Sequence, residues 1–486
     1  MDQGRSPSSE AQGERPARRL ARRRTDTANT CAYCANRLAQ GRWVQGRWAG
    51  QRHLEGKHPA KPQPASVVER NDETSVHVVQ AQEPRDDARR MTVIARRPPS
   101  RRQAGEFHES AILRSAIVNR RDILIGGGLI GGGALALAGV GAAYLGARQM
   151  GSMEEYDASV AATRAVLSRQ PAVHELIRYA TLAANGHNTQ PWRFRIGERR
   201  VEVLPDFARR TPAVDPDDHH LFASLGCAVE NLSLAAGARS RPGTIGFDPA
   251  KEGAVVFEFG GATDEASDLF DAIPRRQSTR AEYDGRSVGA ADLRTLAAAG
   301  AMAGVDLALI VDRPRIDRVR DLVLAGNSAQ IADAAFMREL RSWLRFSPRQ
   351  ASETGDGLFS ATTGNPRLPA WLGPHLFDMA FTAGAENEKY ARQIRSSAGI
   401  AVFVGARDDK EHWVRAGRAC QRFALQATAL GLKHAFINQP VEVASLRPDL
   451  AALVGLPGRR PDIVMRFGYG TTFPFSARRP VEAVLA

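Results

Sequence analysis

Between Ile123 and Ala147 the chain runs for 25 residues without a charged side chain, ILIGGGLIGGGALALAGVGAAYLGA. A stretch of that length can cross a bilayer as a helix, although its glycines make it only weakly hydrophobic. It divides the chain into a leader and a body that differ in kind. Residues 1–122 carry 24 Lys/Arg against 14 Asp/Glu, whereas the remaining 364 carry 42 against 39. The formal charge of +13 therefore belongs to the leader. The near-neutral body has no basic stripe of the kind a phosphate backbone requires, so nucleic acid is excluded as a partner. Residues 1–117, rich in Arg and Pro, bury too little apolar surface to offset ordering and read as a disordered extension. Cys31-Ala32-Tyr33-Cys34 has the spacing of half a zinc site, but no second pair follows. Cys227 and Cys420 lie far off in helical patterns, and the four cysteines make no disulfide framework.

Within the uncharged run, Gly126–Gly131 satisfies G-x-G-x-x-G, and Asp157 follows at about the distance of a ribose-binding acid. A dinucleotide fingerprint needs a preceding strand and a following amphipathic helix. Here Asn119-Arg120-Arg121-Asp122 precedes and uniform Ala, Leu and Gly follow, which rejects that reading. Residues 118–148, with Arg120-Arg121 ahead of the apolar run, resemble a twin-arginine export signal; an uncleaved membrane anchor through residues 123–147 is the competing reading. Initiation at Met91 or Val118 would place the arginine pair near a chain start, so residues 1–117 are not expected in the mature protein. Basic residues crowd the N-terminal flank while Arg148 is nearly alone beyond it. The positive-inside rule then puts the body outside the cytoplasm.

The body starts near Gly151. Residues 172–184 set Val173, Leu176, Ile177, Ala180 and Ala184 on one helical face, with Asn185-Gly186 as the expected stop. His187–Trp192 then form a loop, followed by strands at 192–196 and 201–204 around a turn at Gly197-Glu198. Asn188, Thr189 and Gln190 offer amides and a hydroxyl next to the stiffening Pro191. Two readings stand: a wall for the polar edge of a flat heterocycle, or a connector whose Trp192 packs into the core.

Asp215-Pro216-Asp217-Asp218 caps a helix over 215–238, with Phe222, Val229, Leu232 and Ala236 on its apolar face. His219 and His220, being adjacent, point to different faces and read as surface histidines. Setting Gly226 against Gly417 also matches Ala228 with Ala419, Leu234 with Leu425 and Ala236 with Ala427, an echo that suggests internal duplication. Between the copies, Arg275-Arg276-Gln277-Ser278-Thr279-Arg280 is either a solvated basic turn or a phosphate grip, and Arg478-Arg479 is a further cationic pair. Residues 350–385 read as a long irregular segment before a helix at Ala385–Ile394, a candidate lid.

Asn188-Thr189-Gln190-Pro191-Trp192, Arg276-x-Ser278-x-Arg280, the stretch Gly417–Gln439 with Gly431-Leu432, Asn438-Gln439-Pro440-x-Glu442 and Arg478-Arg479-Pro480 together resemble the FMN-dependent nitroreductases. The likeness is to their Acg-like subgroup and covers residues 151–486. The resemblance implies an α+β fold in which two related halves, 151–265 and 266–486, each pack an antiparallel or mixed sheet with helices. Ordinary family members carry the basic segment ahead of the amide segment and bring two subunits together over the flavin. Here the region ahead of Asn188 is Glu155-Tyr156-Asp157, and Val305–Val311, a bare strand, stands where a second amide segment would be. The resemblance thus implies a single-chain pseudo-dimer with one FMN site. Asn188, Thr189 and Gln190 form one side of it and Arg276, Ser278 and Arg280 the other. Ile437, Asn438 and Gln439 lie at the reactive edge and Arg478 or Arg479 near the phosphate. The implied activity is two-electron reduction of a nitro or quinone acceptor with NADPH or NADH as donor. The alternative is a protein that holds FMN without turnover, since many members carry Glu-Gly where this chain has Asn438-Gln439. No metal site and no general acid are expected, and Glu442 is expected to be structural.

Overall fold

A computed structural model describes residues 76–79, 150–261 and 268–486. The leader's cysteine pair, the arginine pair and the uncharged run lie outside the described residues. Among the described residues no helix is long and apolar enough to cross a membrane.

Strand β1 (Val76–Val79) joins a sheet whose other strands come from the second half of the chain. Helix α1 (Met153–Thr163) starts at Ser152, whose hydroxyl accepts from the Glu155 N–H, and α2 (Val173–Thr181) buries Leu176, Ile177 and Ala180. Then follow β2 (Trp192–Ile196), β3 (Arg200–Pro205), helix α3 (His219–Gly237), β4 (Gly243–Asp248) and β5 (Ala254–Phe259). These strands form an antiparallel sheet in the order β2-β3-β5-β4. Trp192 and Phe194 are wholly buried while Arg193 between them and Arg195 after them are exposed, the alternation of a half-buried strand.

The second half contains α4 (Ala290–Gly300), β6 (Val305–Ile310), α5 (Arg313–Ala332), α6 (Ala334–Ser342), β7 (Leu344–Arg345), α7 (Pro348–Thr354) and β8 (Leu358–Phe359). It continues through α8 (Gly373–Ala380), α9 (Ala383–Arg395), β9 (Gly399–Gly405), α10 (Lys410–Ala429), β10 (Lys433–Phe436), α11 (Gln439–Glu442), α12 (Arg447–Leu453) and β11 (Ile463–Gly468). Its sheet runs β1-β6-β9-β11-β10, with every pair antiparallel except the parallel β1–β6 edge. Without that edge strand, the order β6-β9-β11-β10 repeats β2-β3-β5-β4 element for element. A long helix also enters at the same point of each, α3 before β4 and α10 before β10. The echo in the sequence is thus an echo in topology. The halves differ in their first connection: a short turn joins β2 to β3, whereas residues 311–398, with α5 to α9, separate β6 from β9.

The two long helices pack on each other at their matched glycines. A Cβ on Gly226 would lie 2.0 Å from the Val414 carbonyl oxygen, and one on Gly417 would lie 1.9 Å from that of Ala223. Each glycine thus meets the backbone three residues before its counterpart, as a two-fold relation demands. Cys227 Sγ donates to the Gly417 carbonyl, Arg418 and Arg422 grip the buried Glu230, and Gln421 donates to Asn231 across the same seam. Nearly every side chain from Leu221 to Leu232 is buried, so α3 has no solvent stripe.

Three local expectations need correction. Helix α2 stops at Thr181, and Asn185 is extended at φ −159°, so Asn185-Gly186 is not a left-handed stop. The cap of α3 comes from Asp215, whose two oxygens accept from the His220 and Leu221 N–H groups; Asp218 at the cap position makes no such bond. Residues 350–385 are not irregular, because α7, β8, a 3-10 turn (Ser360–Thr363) and α8 occupy most of them.

Candidate functional site

The chain from α2 to β2 is wound tightly. His187, Asn188 and Gln190 have φ of 46°, 54° and 53°, a left-handed conformation that costs non-glycine residues of order 1–2 kcal/mol each. Hydrogen bonds over-determine it. The Gln190 N–H donates to Asn185 Oδ1 (2.9 Å) and the Thr189 N–H to the Gly186 carbonyl (2.9 Å). Asn188 Nδ2 donates to the carbonyls of Gly357 (3.1 Å) and Ala477 (3.2 Å), and its Oδ1 accepts from Arg478 (2.9 Å). Gln190 Nε2 donates to the Gly355 carbonyl (2.9 Å), and its Oε1 accepts from the Arg479 N–H (2.9 Å). The Thr189 carbonyl accepts from Arg209, which also pairs with Asp356. The amide loop is therefore stitched to residues 355–357 and 477–479, and its side chains are spent there.

Beside this loop sit three arginines. Helix α2 ends with unpaired carbonyls, as every helix does. Arg478 Nε donates to Thr181 O (2.6 Å), Arg478 Nη2 to Ala183 O (3.2 Å), and Arg276 Nη2 to Leu182 O (2.9 Å). Cations at a helix C-terminus are favoured by its dipole. Yet Arg276 is 2% exposed, and its Nε and Nη1 have no hydrogen-bond partner. Arg164, from α1, donates to Pro274 O and stacks on Phe475. Among the described residues none of the three forms an ion pair with a carboxylate. Burial lowers Arg164 well below its ordinary value, with Arg478 and Arg276 adding to this, and lowers Arg478 to about 9, with Arg276 adding to it. Burial likewise lowers Arg276 itself. Three clustered cations with no counter-charge make a site for an anion.

A cavity of about 770 Å³ opens next to them, within the range of small-molecule sites. Its lining includes polar side chains, among them Asn185, His187, His220, Arg280, Asn438, Gln439 and Glu442, and apolar ones, among them Phe336, Leu340, Phe346, Leu376, Phe377 and Phe381, drawn mainly from α6 and α8. Met379, also a wall residue, is 76% exposed, so the cavity is open at that end. The candidate lid segment thus does wall the cavity, though as folded structure.

Of the residues the sequence singled out, Arg280, Asn438 and Gln439 line this cavity. Asn188, Thr189, Gln190, Arg276, Ser278, Ile437, Arg478 and Arg479 do not. Ser278 instead bridges to His434 on β10, bringing the basic segment to the edge of the second sheet. Ile437 is buried in the core, and Asn438 Oδ1 accepts from the Val464 N–H, which fixes the turn into α11. Burial lowers Arg280 as it does Arg276. Arg479 donates to Ala483 O and lies 3.8 Å from Asp206.

Sequence reasoning missed several groups. Arg164 carried no motif; only its contact with Arg276 and Arg478 reveals it. Gly355 and Gly357, which receive the amides, gave a signal as glycines flanking an aspartate, and both have positive φ. His219 and His220 are not surface residues. His219 is 1% exposed with Nε2 2.7 Å from Asp462 Oδ1, and His220 Nε2 is 3.2 Å from the Asp462 carbonyl. Burial drives His219 down to about 3 and Asp462 up to about 7. Asp215, His219 and His220 bring one ligand-type atom each within 4.8 Å of one another, but Asp215 spends both oxygens on the helix cap and His219 Nε2 is engaged by Asp462.

No protein-family model matches the chain. Two curated proteins of Mycobacterium tuberculosis (strain ATCC 25618 / H37Rv) align with it. "Putative NAD(P)H nitroreductase Rv3131" is 28% identical over 328 residues, covering 64% of this chain and 90% of its own length. "Putative NAD(P)H nitroreductase acg" is 22% identical over 327 residues, covering 64% and 94%. Among solved structures, the FMN-dependent nitroreductase NfnB of Mycobacterium smegmatis in complex with NADPH superposes with a TM-score of 0.28 at 13% identity, covering 42% of this chain and 89% of its own. The NADPH:FMN oxidoreductase of Vibrio harveyi complexed with NAD+ gives 0.26 at 14%, covering 44% and 73%. Superpositions at that score carry no weight for the fold. On its sequence alignments, the chain is a distant homologue of the NAD(P)H nitroreductases, Acg-like proteins included, over 64% of its length.

Proposed function

We propose that the chain is an FMN-dependent oxidoreductase of nitroreductase type that uses NADPH or NADH to reduce a nitro or quinone acceptor by two electrons. The observation that carries this reading is the carboxylate-free cluster of Arg164, Arg276 and Arg478 beside an open cavity walled by Arg280, Asn438 and Gln439. The donor set fits FMN. A phosphate dianion matches unpartnered, buried guanidinium nitrogens, and a flat ring system matches a cavity whose lining is mainly apolar with a few polar side chains. When bound, the flavin supplies the hydride chemistry. The protein's part is to hold it: Arg276, with Arg164 and Arg478, at the phosphate, and Arg280, Asn438 and Gln439 at the ring. The apolar side chains of Phe336, Phe346 and Phe377 receive the acceptor and keep water from it. Asn188 and Gln190 act through the loop they lock, fixing Arg478 and the backbone of Arg479. The chain is read as a single-chain pseudo-dimer of halves 151–265 and 266–486. The uncharged run at 123–147 is read as a signal or anchor that places the body outside the cytoplasm.

A second reading, FMN held without turnover, is favoured by one observation: residues 355–381 take the hydrogen bonds of the amide loop and wall the cavity. One experiment separates the two. The purified chain is examined for a flavin spectrum and then given NADPH anaerobically. Bleaching of a yellow protein supports the reductase. A yellow protein bleached only by dithionite supports the holding role, and a colourless protein that refuses FMN overturns both. Arg276→Ala with Arg280→Ala is expected to lose FMN, and full retention would refute the assigned grip.

A further inference from the structure

One corner of the cavity contains an acid and a base that the flavin reading leaves without a task. His220 Nδ1 on α3 lies 3.9 Å from Glu442 Oε1 at the end of α11, and both side chains line the cavity beside Asn438 and Gln439. The tautomer of His220 is set by its other nitrogen. Nε2 is 3.2 Å from the Asp462 carbonyl, which can only accept, so Nε2 carries the proton and Nδ1 turns a lone pair towards Glu442. Glu442 Oε2 accepts from Gln330 Nε2 at 2.6 Å. One carboxyl oxygen is thus held as an acceptor and the other is left to carry a proton.

We propose that Glu442 is the proton donor to the acceptor reduced in this cavity, with His220, 3.9 Å from its free oxygen, as the positioning residue that fixes where the carboxyl stands. The proposal rests on the flavin reading above. A bound flavin would supply the hydride equivalent for reduction of a quinone, which would consume one proton with it. The Glu442 proton completes the second O–H of the hydroquinone and leaves a carboxylate held by Gln330. For a nitro group, the hydride equivalent and the proton leave with one oxygen as water when that N–O bond breaks, giving the nitroso product. Water entering at the open end near Met379 reprotonates the carboxylate.

The surroundings favour the protonated form of the carboxyl. Burial raises Glu442, and Asp215 adds to this, against the opposing effects of His220 and Gln330; burial and His219 lower His220. The other titratable groups facing the pair are Asp462 from the loop before β11 and Tyr390 from α9; Glu386, on the same helix, faces Tyr390. Arg280 faces Tyr390 in turn. Burial thus favours the neutral form of both groups, and the neutral carboxyl is the form that can give a proton.

The test uses the full chain loaded with FMN. Flavin reduction by NADPH and reoxidation by menadione are followed separately, by anaerobic stopped flow across pH 5–9. Glu442→Gln keeps the hydrogen bond from Gln330 in reach. It is expected to retain flavin and wild-type reduction by NADPH, yet to slow reoxidation by about 100-fold and flatten its pH profile. Glu442→Asp is expected to recover part of the rate, and His220→Gln to shift the apparent pKa of reoxidation while keeping the shape of the profile. Wild-type reoxidation and pH dependence in Glu442→Gln would overturn the proposal while the flavin reading stands. If NADPH does not reduce the wild type, dithionite-reduced protein serves for the same reoxidation measurement, so a failed donor reading stays separate. A wild type that takes no FMN overturns both.

Discussion

His434 occupies the middle of β10 with no exposed surface and no hydrogen bond to either ring nitrogen. A protonated imidazole there would be unsolvated and near two cations. Burial, then Arg276 and Lys433, hold it down to about 3. In the unfolded chain an imidazole titrates near 6.5. Above that pH neither state binds the proton, and this site's contribution to stability is whole. As pH falls below 6.5 the unfolded chain gains a proton that the native state refuses until about 3, so stability declines by roughly 1.4 kcal/mol per pH unit in between. His187, held at about 4, and His219, held at about 3, act in the same direction. Asp462, raised to about 7, acts the opposite way, losing its contribution as pH rises from its ordinary value to about 7. His434→Met is therefore expected to flatten the urea midpoint measured between pH 6.5 and 5, with little change in slope above pH 7. An unchanged slope would show that the imidazole is solvated after all. At this scale the sequence was only partly legible. Trp192 and Phe194 declared their burial by alternation. The burial of His219 and His220 did not show, because it comes from Asp462, more than 200 residues away in the chain.

The contact between α3 and α10 is set by two glycines, and it turns the internal echo into a steric statement. Gly417→Val would drive a side chain into the Ala223 carbonyl, a backbone atom 1.9 Å from the would-be Cβ. Neither helix can move away without opening the Cys227, Glu230 and Asn231 contacts on the same seam. Overpacking of this kind costs about 3 kcal/mol or more when backbone must shift. Gly237, the last residue of α3, is the internal control: a Cβ there meets nothing within 4 Å, and Gly237→Ala is expected to be neutral or to stabilise by up to about 1 kcal/mol. Urea unfolding of the two variants checks the contrast, and similar midpoints would remove the argument. The pairing was legible because both helices carry small residues at matched positions. The capping of α3 by Asp215 was not, since Asp215 and Asp218 look equivalent in sequence until the turn between them is known. The folded character of residues 350–385 escaped for a related reason. Its short helices and strand pair are stabilised by contacts with the amide loop and Phe346 rather than by any period of their own.

The two halves repeat one topology, but among the described residues the side chains proposed for the site come together in one arrangement only. The arginine cluster takes Arg164 from the first half and Arg276 and Arg478 from the second, and Leu182 at the end of α2 accepts from both Arg276 and Arg478. The symmetry-related position lacks the parts. Strand β6 takes the place of β2, yet only the turn at 301–304 precedes it, with no amide loop. The stretch corresponding to the basic segment is Glu155-Tyr156-Asp157, at the start of α1. An acidic pair repels a phosphate where an arginine pair would hold it. In the sequence this asymmetry takes the form of two complementary absences, and it is from these that the single composite site is proposed. What it left hidden was the division of labour within the site, because Asn188 and Gln190 serve the loop and the cavity wall is supplied by α6 and α8. The consequence for the intact protein is a count. Titration of the full chain with FMN, followed by flavin absorbance after denaturation against a direct protein assay, is expected to give one flavin per chain. Two per chain would mean that the second half builds its own site, and the reading of the chain as an asymmetric pair would fall. A value of one that drops to zero in Arg276→Ala with Arg280→Ala would tie the count to the basic segment of the second half.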